Sequence, residues 1–374
     1  MSELENQRIV ERTTHMTTAR SILILGASYG SLLGTKLAAA GHHVTLVCLA
    51  AEAALIKQDG CRVRLPVRGR EGLIEIHSKA LPGSLTAATP GEVDPSTFDL
   101  VGLAMQEPQY RAPEIKTLLL AIGRSARPCM SIMNMPPLTY LRRIKSLDAD
   151  GLRHCYSDAD VWDLLQPGQI TLCSPDPQAF RPATEPVNVL QVRLATNFKA
   201  ASFAGTADNA LLNEMANGVD AYRHRLGSEE IDLPVKLRVH DSLFVPMAKW
   251  AMLLAGNYQC VKPDRVASIY EAVHGDLAQS RAIYDDVRRV CLALGAVESD
   301  LVPFEKYANA ALSLGSPSSV ARALDAGATA VERVDLLVQA VSRQVGQPSS
   351  MVDQIVANVE AWLARNRLRQ ASSS

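Results

Sequence analysis

The chain has few aromatic residues and almost no net charge. Phe, Trp and Tyr make up 5% of its 374 residues, so any core must be built mainly from aliphatic side chains. With 38 basic and 39 acidic residues, the formal net charge is −1 at pH 7. This balance argues against a nucleic-acid partner and against an electrostatic membrane anchor, so neither is predicted.

Long apolar runs and patterned cysteines are also missing. No stretch of about 18 apolar residues is free of charge, so no membrane span is predicted. Residues 1–19 lack the apolar segment of a secretory signal, so we expect a disordered leader on a cytoplasmic protein. The seven cysteines form no C-x-x-C pair and the histidines no H-E-x-x-H motif, so neither disulfides nor a metal site is predicted.

Strand and helix patterns alternate along the first part of the chain. Short apolar runs predict buried strands at 21–25, 43–49, 98–104 and 129–134. Helical spacing predicts helices between them, at 32–40, 50–60 and 114–122. This alternation is typical of a doubly wound α/β sheet of the Rossmann type.

The pattern changes near residue 240. Before it, β-like stretches at 168–203 precede a predicted helix at 207–224 and a predicted strand at 231–239. After it, the sequence predicts only helices, at 245–259, 269–294, 303–314, 319–345 and 350–368. We therefore expect a dinucleotide-binding Rossmann domain at 20–240 and an all-helical domain at 241–374 that binds substrate and forms a homodimer.

The turn after the first strand has the composition of a phosphate-binding loop. In the fingerprint G-x-G-x-x-G, Gly26 takes the first position, Ser28 the second, and Gly30 or Ser31 the third. Small residues here let the backbone approach a pyrophosphate at the N-terminus of the next helix. The predicted cofactor-binding residues are Gly26, Ala27, Ser28, Tyr29, Gly30, Ser31, Gln106 and Asn134. A flavodoxin-like or methyltransferase turn stays open as an alternative.

The choice between NAD and NADP is not fixed by the second strand. An acidic residue at its end favours NAD and an arginine favours NADP, but residues 47–50 read Val-Cys-Leu-Ala. Lys57 is a distant candidate for a phosphate contact. NADP is the predicted cofactor, with NAD as the open alternative.

Three polar residues stand in otherwise apolar segments. Asn134 ends a predicted buried strand, where ligands bind in open α/β sheets. Lys249 and Asn257 are eight positions apart on one predicted helix, a little over two turns, so we expect them on the same face. Burial among apolar residues should lower the pKa of Lys249, which suits a proton donor near neutral pH.

At these residues the sequence resembles the ketopantoate reductase family. The resemblance covers most of 20–365, and the family's strand-end Asn falls on Asn134. The family's helical Lys and second Asn fall on Lys249 and Asn257, and its Ser-Ser-Met stretch falls on 318–320. The resemblance implies the Rossmann fold followed by a helical domain similar to that of 6-phosphogluconate dehydrogenase.

The resemblance also implies a reaction. Hydride passes between a nicotinamide cofactor and a 2-oxo or 2-hydroxy acid, and Lys249 donates the proton. Asn134 and Asn257 orient cofactor and substrate as catalytic residues, and Ser319 and Glu332 bind the substrate. Position for position, however, the family's acid falls on Val331, one residue before Glu332.

Further departures point away from ketopantoate itself. Leu253 stands where the family has another Asn, Leu49 where it has a phosphate-binding Arg, and Pro136-Pro137 where it has Gly. Together with Val331 they favour a larger or more apolar oxo acid, or another ketone.

Other functions and less specific roles stay open. The chain could be a non-catalytic NAD(P)-binding sensor, an opine-type dehydrogenase that needs an added amine, or a methyltransferase. Ser319 could serve only as a helix N-cap. Glu332 could be an ordinary solvated acid on a helix, which is the reading its local sequence favours.

Overall fold

A computed structural model describes residues 18–373. Residues 1–17 of the predicted leader lie outside the described part of the chain. Between residues 18 and 373, no helix is both long enough and apolar enough to span a bilayer.

Fourteen strands occur in the described residues. They are β1 (Ser21–Leu25), β2 (His43–Val47), β3 (Arg62–Pro66), β4 (Leu73–His77), β5 (Ser84–Ala88), β6 (Leu100–Leu103), β7 (Cys129–Ile132), β8 (Ile170–Ser174), β9 (Gln178–Phe180), β10 (Val189–Leu194), β11 (Phe198–Ala201), β12 (Arg223–Leu226), β13 (Glu229–Asp232) and β14 (Leu237–His240).

Eight of these strands form the main sheet, in the order β14-β11-β8-β7-β6-β1-β2-β5. The six strands from β5 to β8 in this order are parallel, β11 is antiparallel to β8, and β14 is parallel to β11. The chain runs outward from β1 to β2 and β5, then returns to β6 on the other side. This reversal next to β1 is the switch point where open α/β sheets bind ligands, and it confirms the predicted Rossmann-type sheet.

The helices follow the sheet and then fill the C-terminal region. They are α1 (Tyr29–Ala39), α2 (Ala50–Asp59), α3 (Pro113–Ser125), α4 (Leu138–Leu141), α5 (Thr206–Ala221), α6 (Lys249–Met252), α7 (Ile269–His274), α8 (Leu277–Leu294), α9 (Phe304–Ala311), α10 (Ser319–Asp325), α11 (Val334–Gln344) and α12 (Ser350–Ser373). A π-helical segment, Leu253–Tyr258, continues α6. The described C-terminal region is therefore helical, as predicted.

The two faces of the main sheet belong to different cores. Leu23 and Leu25 of β1 join a core that runs on into the C-terminal helices, whereas Ile22 and Ile24 join a core that includes α1. Alternate side chains of a strand point to opposite faces, so a single strand contributes to both. The first core packs the helical region against one face of the sheet, beside the ends of its strands.

Two helices that the sequence predicts as continuous are each broken in two. The predicted helix at 269–294 stops at Gly275, and the carboxylate of Asp276 starts α8 by accepting a hydrogen bond from Gln279 N at 2.9 Å. The predicted helix at 319–345 ends as α10, followed by Gly327 at a φ of +91°. Residues 328–333 are therefore a loop and not a helical face. The prediction of one helix was wrong because these local signals override the apolar spacing.

The predicted helix at 245–259 has a π-helical half. Regular α-helix would put residues eight positions apart about 80° beyond two full turns. The π segment Leu253–Tyr258 takes more residues into each turn. Asn257 lies in this segment, whereas Lys249 lies at the start of α6. Winding of this kind occurs often at functional sites.

Candidate active site

The Gly-rich turn joins β1 to α1 in close contact with the chain after β6. Gly26 has a φ of +99°, and an added Cβ would lie 2.6 Å from the carbonyl oxygen of Ala104. Ser28 is the N-cap of α1 and makes no side-chain cap hydrogen bond with the described residues, so the first N–H groups of the helix are available to an anion. The Ser31 hydroxyl instead donates to the Ala27 carbonyl, so it braces the turn.

Alanine at position 26 should damage both the turn and cofactor binding. The positive φ alone costs about 1–2 kcal/mol for a residue with a Cβ, and the contact with the Ala104 carbonyl adds to it. We expect Gly26→Ala to lower the melting temperature and to weaken NADPH binding at least tenfold, as measured by nicotinamide fluorescence. Gly91→Ala is the control, because no atom of the described residues lies within 4 Å of its added Cβ. Unchanged NADPH affinity in Gly26→Ala would argue against a phosphate site here.

A cleft lies at the carboxyl edge of the sheet, where the strands meet the helical region. Five predicted site residues from distant parts of the sequence line it, namely Gln106, Asn134, Asn257, Ser319 and Glu332. Its remaining wall is mostly apolar, with Leu253, Val320, Ala323, Val331 and Val334, beside the Tyr258 side chain. A cleft in which several polar groups converge among apolar side chains is typical of a small-molecule site.

Glu332 lies in this cleft and not on a solvated helix, so the reading favoured by its local sequence is wrong. Its carboxylate accepts hydrogen bonds from Asn134 Nδ2 and from Met135 N, both at 3.3 Å. Burial raises the pKa of Glu332 to about 7, although the two hydrogen bonds and the charge of Lys249 oppose the shift. Glu332 does not lie on a helix because the chain breaks after α10, and residues 328–333 form a loop that turns toward the cleft.

Two sets of contacts hold this loop. The Tyr258 hydroxyl donates to the Glu332 carbonyl oxygen at 2.5 Å and accepts from Val334 N at 3.1 Å. Arg333 forms two hydrogen bonds of 3.0 Å with the fully buried carboxylate of Asp335 and pairs with Glu360. The position of Glu332 is therefore fixed from both sides. Sequence reasoning missed Tyr258 and the Arg333–Asp335 pair, although Tyr258 directly follows Asn257.

Lys249 stands beside the cleft, tied to the end of β8. Its amine donates to the carbonyl oxygen of Pro175 at 2.5 Å. Burial lowers the pKa of Lys249, and the carboxylates of Asp176 and Glu332 act against this shift. The Lys249 amine thus lies within electrostatic reach of Glu332, although among residues 18–373 the cleft lining includes Asn257 and not Lys249. No signal in the sequence pointed to Pro175 or Asp176.

Asn134 has an amide oxygen that is left without a donor by the described residues. Its Nδ2 donates to Glu332, but its Oδ1 is buried and accepts no hydrogen bond from the described residues. A buried amide oxygen without a donor is costly unless a ligand supplies one. The carboxamide of a nicotinamide is such a donor, so Asn134 together with the Gly-rich turn fits a dinucleotide.

Ser319 is not the cap of its helix. Ser318 is the N-cap of α10, and its hydroxyl accepts from Ala321 N at 3.2 Å and donates to the Asn257 carbonyl at 2.6 Å. The N-cap interpretation of Ser319 is therefore wrong. Ser319 is exposed and lines the cleft, so its hydroxyl is accessible to a bound molecule.

Histidine, cysteine, aspartate and glutamate side chains of the described residues form no group of three or more that could hold a metal ion. The polar side chains that line the cleft are instead three amides, the hydroxyl-bearing Ser319 and Tyr258, and the carboxyl group of Glu332, with the Lys249 amine beside them. Such a set can position and protonate an organic substrate.

No protein-family model and no curated protein sequence matches this chain. Solved structures do match. The 2-dehydropantoate 2-reductase of Methylococcus capsulatus superposes with a TM-score of 0.63 at 14% identity, covering 92% of this chain and 97% of that one. A dimeric ketopantoate reductase from Staphylococcus aureus gives 0.56 at 12% identity, with 92% and 99% coverage.

A D-mandelate dehydrogenase, solved with NADH and anilino(oxo)acetate, also has this fold. It matches with a TM-score of 0.59 at 14% identity and covers 93% of this chain and 99% of its own. These likenesses show that the chain has the fold of the ketopantoate reductases over nearly its whole length, which confirms the predicted resemblance at the level of fold.

Proposed function

We propose that this protein is an NAD(P)-dependent oxidoreductase that reduces a 2-oxo acid or a related ketone. The observation that carries the proposal is the convergence of Asn134, Asn257, Ser319 and Glu332 on one cleft beyond the carboxyl ends of β6 and β7. Their sequence positions span about half the chain. The fold shared with ketopantoate reductases and a mandelate dehydrogenase supports the same reaction class.

Lys249 is the proposed proton donor. A lysine ammonium has three N–H donors, and Pro175 takes one of them, which leaves two for a substrate. Burial lowers the pKa of Lys249 toward the neutral range, where proton transfer to a developing alkoxide is most efficient. A reduced nicotinamide, when bound, supplies the hydride. The cation beside the cleft stabilises the negative charge that the carbonyl oxygen acquires.

The other polar residues are proposed to position the reactants. Asn134 uses its free Oδ1 for the cofactor carboxamide and its Nδ2 to hold Glu332. Asn257 and Ser319 offer an amide and a hydroxyl to the substrate carboxylate and carbonyl. With a pKa of about 7, Glu332 is protonated in about half of the molecules near neutral pH. In this form it can donate a hydrogen bond to a substrate oxygen without repelling a nearby carboxylate.

The apolar wall of the cleft favours a substrate with an apolar side chain. Leu253 and Val331 are buried and line the cleft, at positions where the resemblance to ketopantoate reductases calls for polar groups. A hydroxylated side chain would leave its hydroxyl unpaired against these residues, at a cost in binding. We therefore favour a branched aliphatic or aromatic 2-oxo acid over ketopantoate.

The test is a substrate panel followed by absorbance of the reduced nicotinamide. Aliphatic, aromatic and hydroxylated 2-oxo acids are assayed with NADPH and with NADH, each with and without an added amine. We expect turnover with an apolar 2-oxo acid and no dependence on the amine. Turnover only with the amine would show an opine-type reaction, and no turnover with any substrate would contradict the proposal.

Glu332→Gln should remove a pH dependence of stability. The folded-state pKa of about 7 lies above the ordinary value of 4.5. The stabilisation is therefore complete below pH 4.5 and is lost as the pH rises through 7, an effect of about 3 kcal/mol. We measure the unfolding free energy in urea at pH 5 and pH 8. Between these pH values it should fall by about 2.5 kcal/mol less in Glu332→Gln than in the wild type.

Glu298→Gln is the control for this series, because that carboxylate lies on the surface and 70% of its side chain is exposed. Its unfolding free energy should differ between pH 5 and pH 8 by as much as that of the wild type. A Glu332→Gln variant with the wild-type difference would show that the carboxylate is not desolvated in the folded protein.

A non-catalytic dinucleotide sensor is the second candidate, favoured by the bond that ties the Lys249 amine to Pro175. Such a protein would bind NADPH or NADH without turning over any member of the panel.

A homodimer in the cytoplasm is also part of the proposal. The dimer is proposed because a protein of the same fold is described as dimeric, and the cytoplasm because all seven cysteines are free. Light scattering of the purified protein tests the dimer.

A further inference from the structure

Residues 175–181, here called the strap, connect the two ends of the proposed cofactor site. The strap leaves β8 and includes β9. At its start, the Pro175 carbonyl accepts the hydrogen bond from Lys249. At its end, Arg181 forms an ion pair with Glu52 on α2. The strap thus links the proposed proton donor to the helix that follows β2.

The middle of the strap lies against the Gly-rich turn between β1 and α1. The Tyr29 side chain, at the start of α1, lies close to the backbone of Ala179. Burial raises the pKa of Tyr29 to about 12, and the nearby carboxylate of Asp176 contributes to the shift. Asp176 is itself held by Lys199, with 2.9 Å between their charged atoms. The strap therefore crosses the strand ends from β8 over the turn to β2, the direction in which a Rossmann domain holds a dinucleotide.

The Glu52–Arg181 pair stands at the end of β2. Glu52 lies in the first turn of α2, which begins three residues after the last residue of β2. The charges of both Glu52 and Arg181 act on the thiol of Cys48, the first residue after β2, whose pKa is raised to about 12 chiefly by burial. The end of the second strand is where Rossmann domains distinguish the 2′-hydroxyl of NAD from the 2′-phosphate of NADP.

The two partners are not equally accessible at this position. The Arg181 side chain is 30% exposed, and that of Glu52 only 14%. Among residues 18–373, Glu52 is the one charged or hydrogen-bonding partner of the Arg181 guanidinium. A guanidinium has five N–H donors, so most of them remain for an anion, whereas the carboxylate is the buried anchor of the pair.

We infer that Arg181, anchored by Glu52, binds the 2′-phosphate of an NADP cofactor and sets the cofactor preference of this protein. The inference rests on the proposed function and deepens it. Residues 47–50 carry no charge for either cofactor, and the fold supplies the missing cation from a position 129 residues after Glu52. A guanidinium also binds a phosphate through two parallel N–H···O hydrogen bonds, which a lysine ammonium cannot form in the same geometry.

Arg181→Gln tests the inference by direct binding. We measure NADPH and NADH affinities by nicotinamide fluorescence, and those of 2′,5′-ADP and AMP by calorimetry. Loss of a charge-assisted phosphate contact should lower the affinity for NADPH and for 2′,5′-ADP about 10- to 100-fold. The affinities for NADH and AMP should change by less than about twofold. Arg181→Lys should keep part of the preference for NADPH. Arg281→Gln, which removes an exposed arginine paired with Glu305 on the helical region, is the matched control and should change neither cofactor.

Glu52→Gln separates the two partners of the pair. It should leave NADPH binding within about threefold of the wild type or strengthen it, because the guanidinium loses only a competing anion. The inference is overturned if Arg181→Gln leaves the ratio of NADPH to NADH affinity unchanged while the variant melts like the wild type. It is also overturned if Glu52→Gln selectively abolishes NADH binding, since Glu52 would then be the selecting group. A wild-type protein that binds neither dinucleotide would instead refute the proposed function itself.

Discussion

Lys249→Ala should lower kcat for 2-oxo-acid reduction by about 10²- to 10⁴-fold, the contribution typical of a positioned general acid. The affinity for NADPH should stay within about twofold of that of the wild type. The Lys249 amine contacts Pro175 and lies near Glu332, and it does not belong to the Gly-rich turn. The loss should fall on kcat, since protonation of the carbonyl oxygen occurs only in the transition state. Steady-state kinetics with the best substrate of the panel provide the measurement.

The pH profile distinguishes a proton donor from a structural lysine. Burial lowers the pKa of Lys249, so wild-type turnover should fall as the pH rises through that lowered value and the amine loses its proton. Lys249→Arg keeps the positive charge, but its guanidinium does not deprotonate, so we expect low activity without this fall. Lys306→Ala removes an exposed lysine of α9 and should behave as the wild type. Full activity of Lys249→Ala would rule out the proposed mechanism.

Asp335→Ala should destabilise the folded protein by about 3–5 kcal/mol, the effect expected when one partner of a buried ion pair is removed. Asp335 is fully buried and forms two hydrogen bonds of 3.0 Å with Arg333, which is itself mostly buried. Without the carboxylate, the half-exposed Glu360 is the one charged partner that residues 18–373 leave to Arg333. Urea denaturation at pH 7 measures the change.

Two further variants show whether the unpaired charge causes this loss. Glu305→Ala breaks an exposed ion pair with Arg281 and should cost less than about 1 kcal/mol. The double variant Arg333→Met with Asp335→Leu removes both charges and should be more stable than Asp335→Ala, because no buried guanidinium is left without its partner. A loss below about 1 kcal/mol in Asp335→Ala would contradict the argument that this pair fixes the loop of Glu332.

The parts of the site that lie on regular elements were predictable. Gly26 and Asn134 directly follow apolar runs that form β1 and β7, and parallel strands bring their carboxyl ends to one edge. Asn257 stood out as an amide within an apolar helical stretch, and it lines the cleft. Periodicity and composition were enough here because the position of each residue in the fold depends on its place within one element.

Contacts between distant segments were not predictable. The sequence placed Glu332 on a solvated helix because apolar spacing continues from α10 to α11. Only the break after α10, at Gly327, turns its carboxyl group toward the cleft. No local pattern indicates that Pro175 receives the amine of Lys249 or that Arg181 reaches Glu52, because each contact joins segments more than 70 residues apart. The four-stranded sheet of β4, β3, β10 and β9, which supports the strap, was likewise absent from the prediction.

The sequence by itself determined the βα alternation, the Gly-rich turn and the helical C-terminal region, since each follows from the spacing of apolar and small residues along a single segment. Only the tertiary structure decided which polar groups meet in the cleft, which of them lose water, and which charge stands at the end of β2. Desolvation and ion pairing depend on all the atoms that surround a group in space, and those atoms come from every part of the chain.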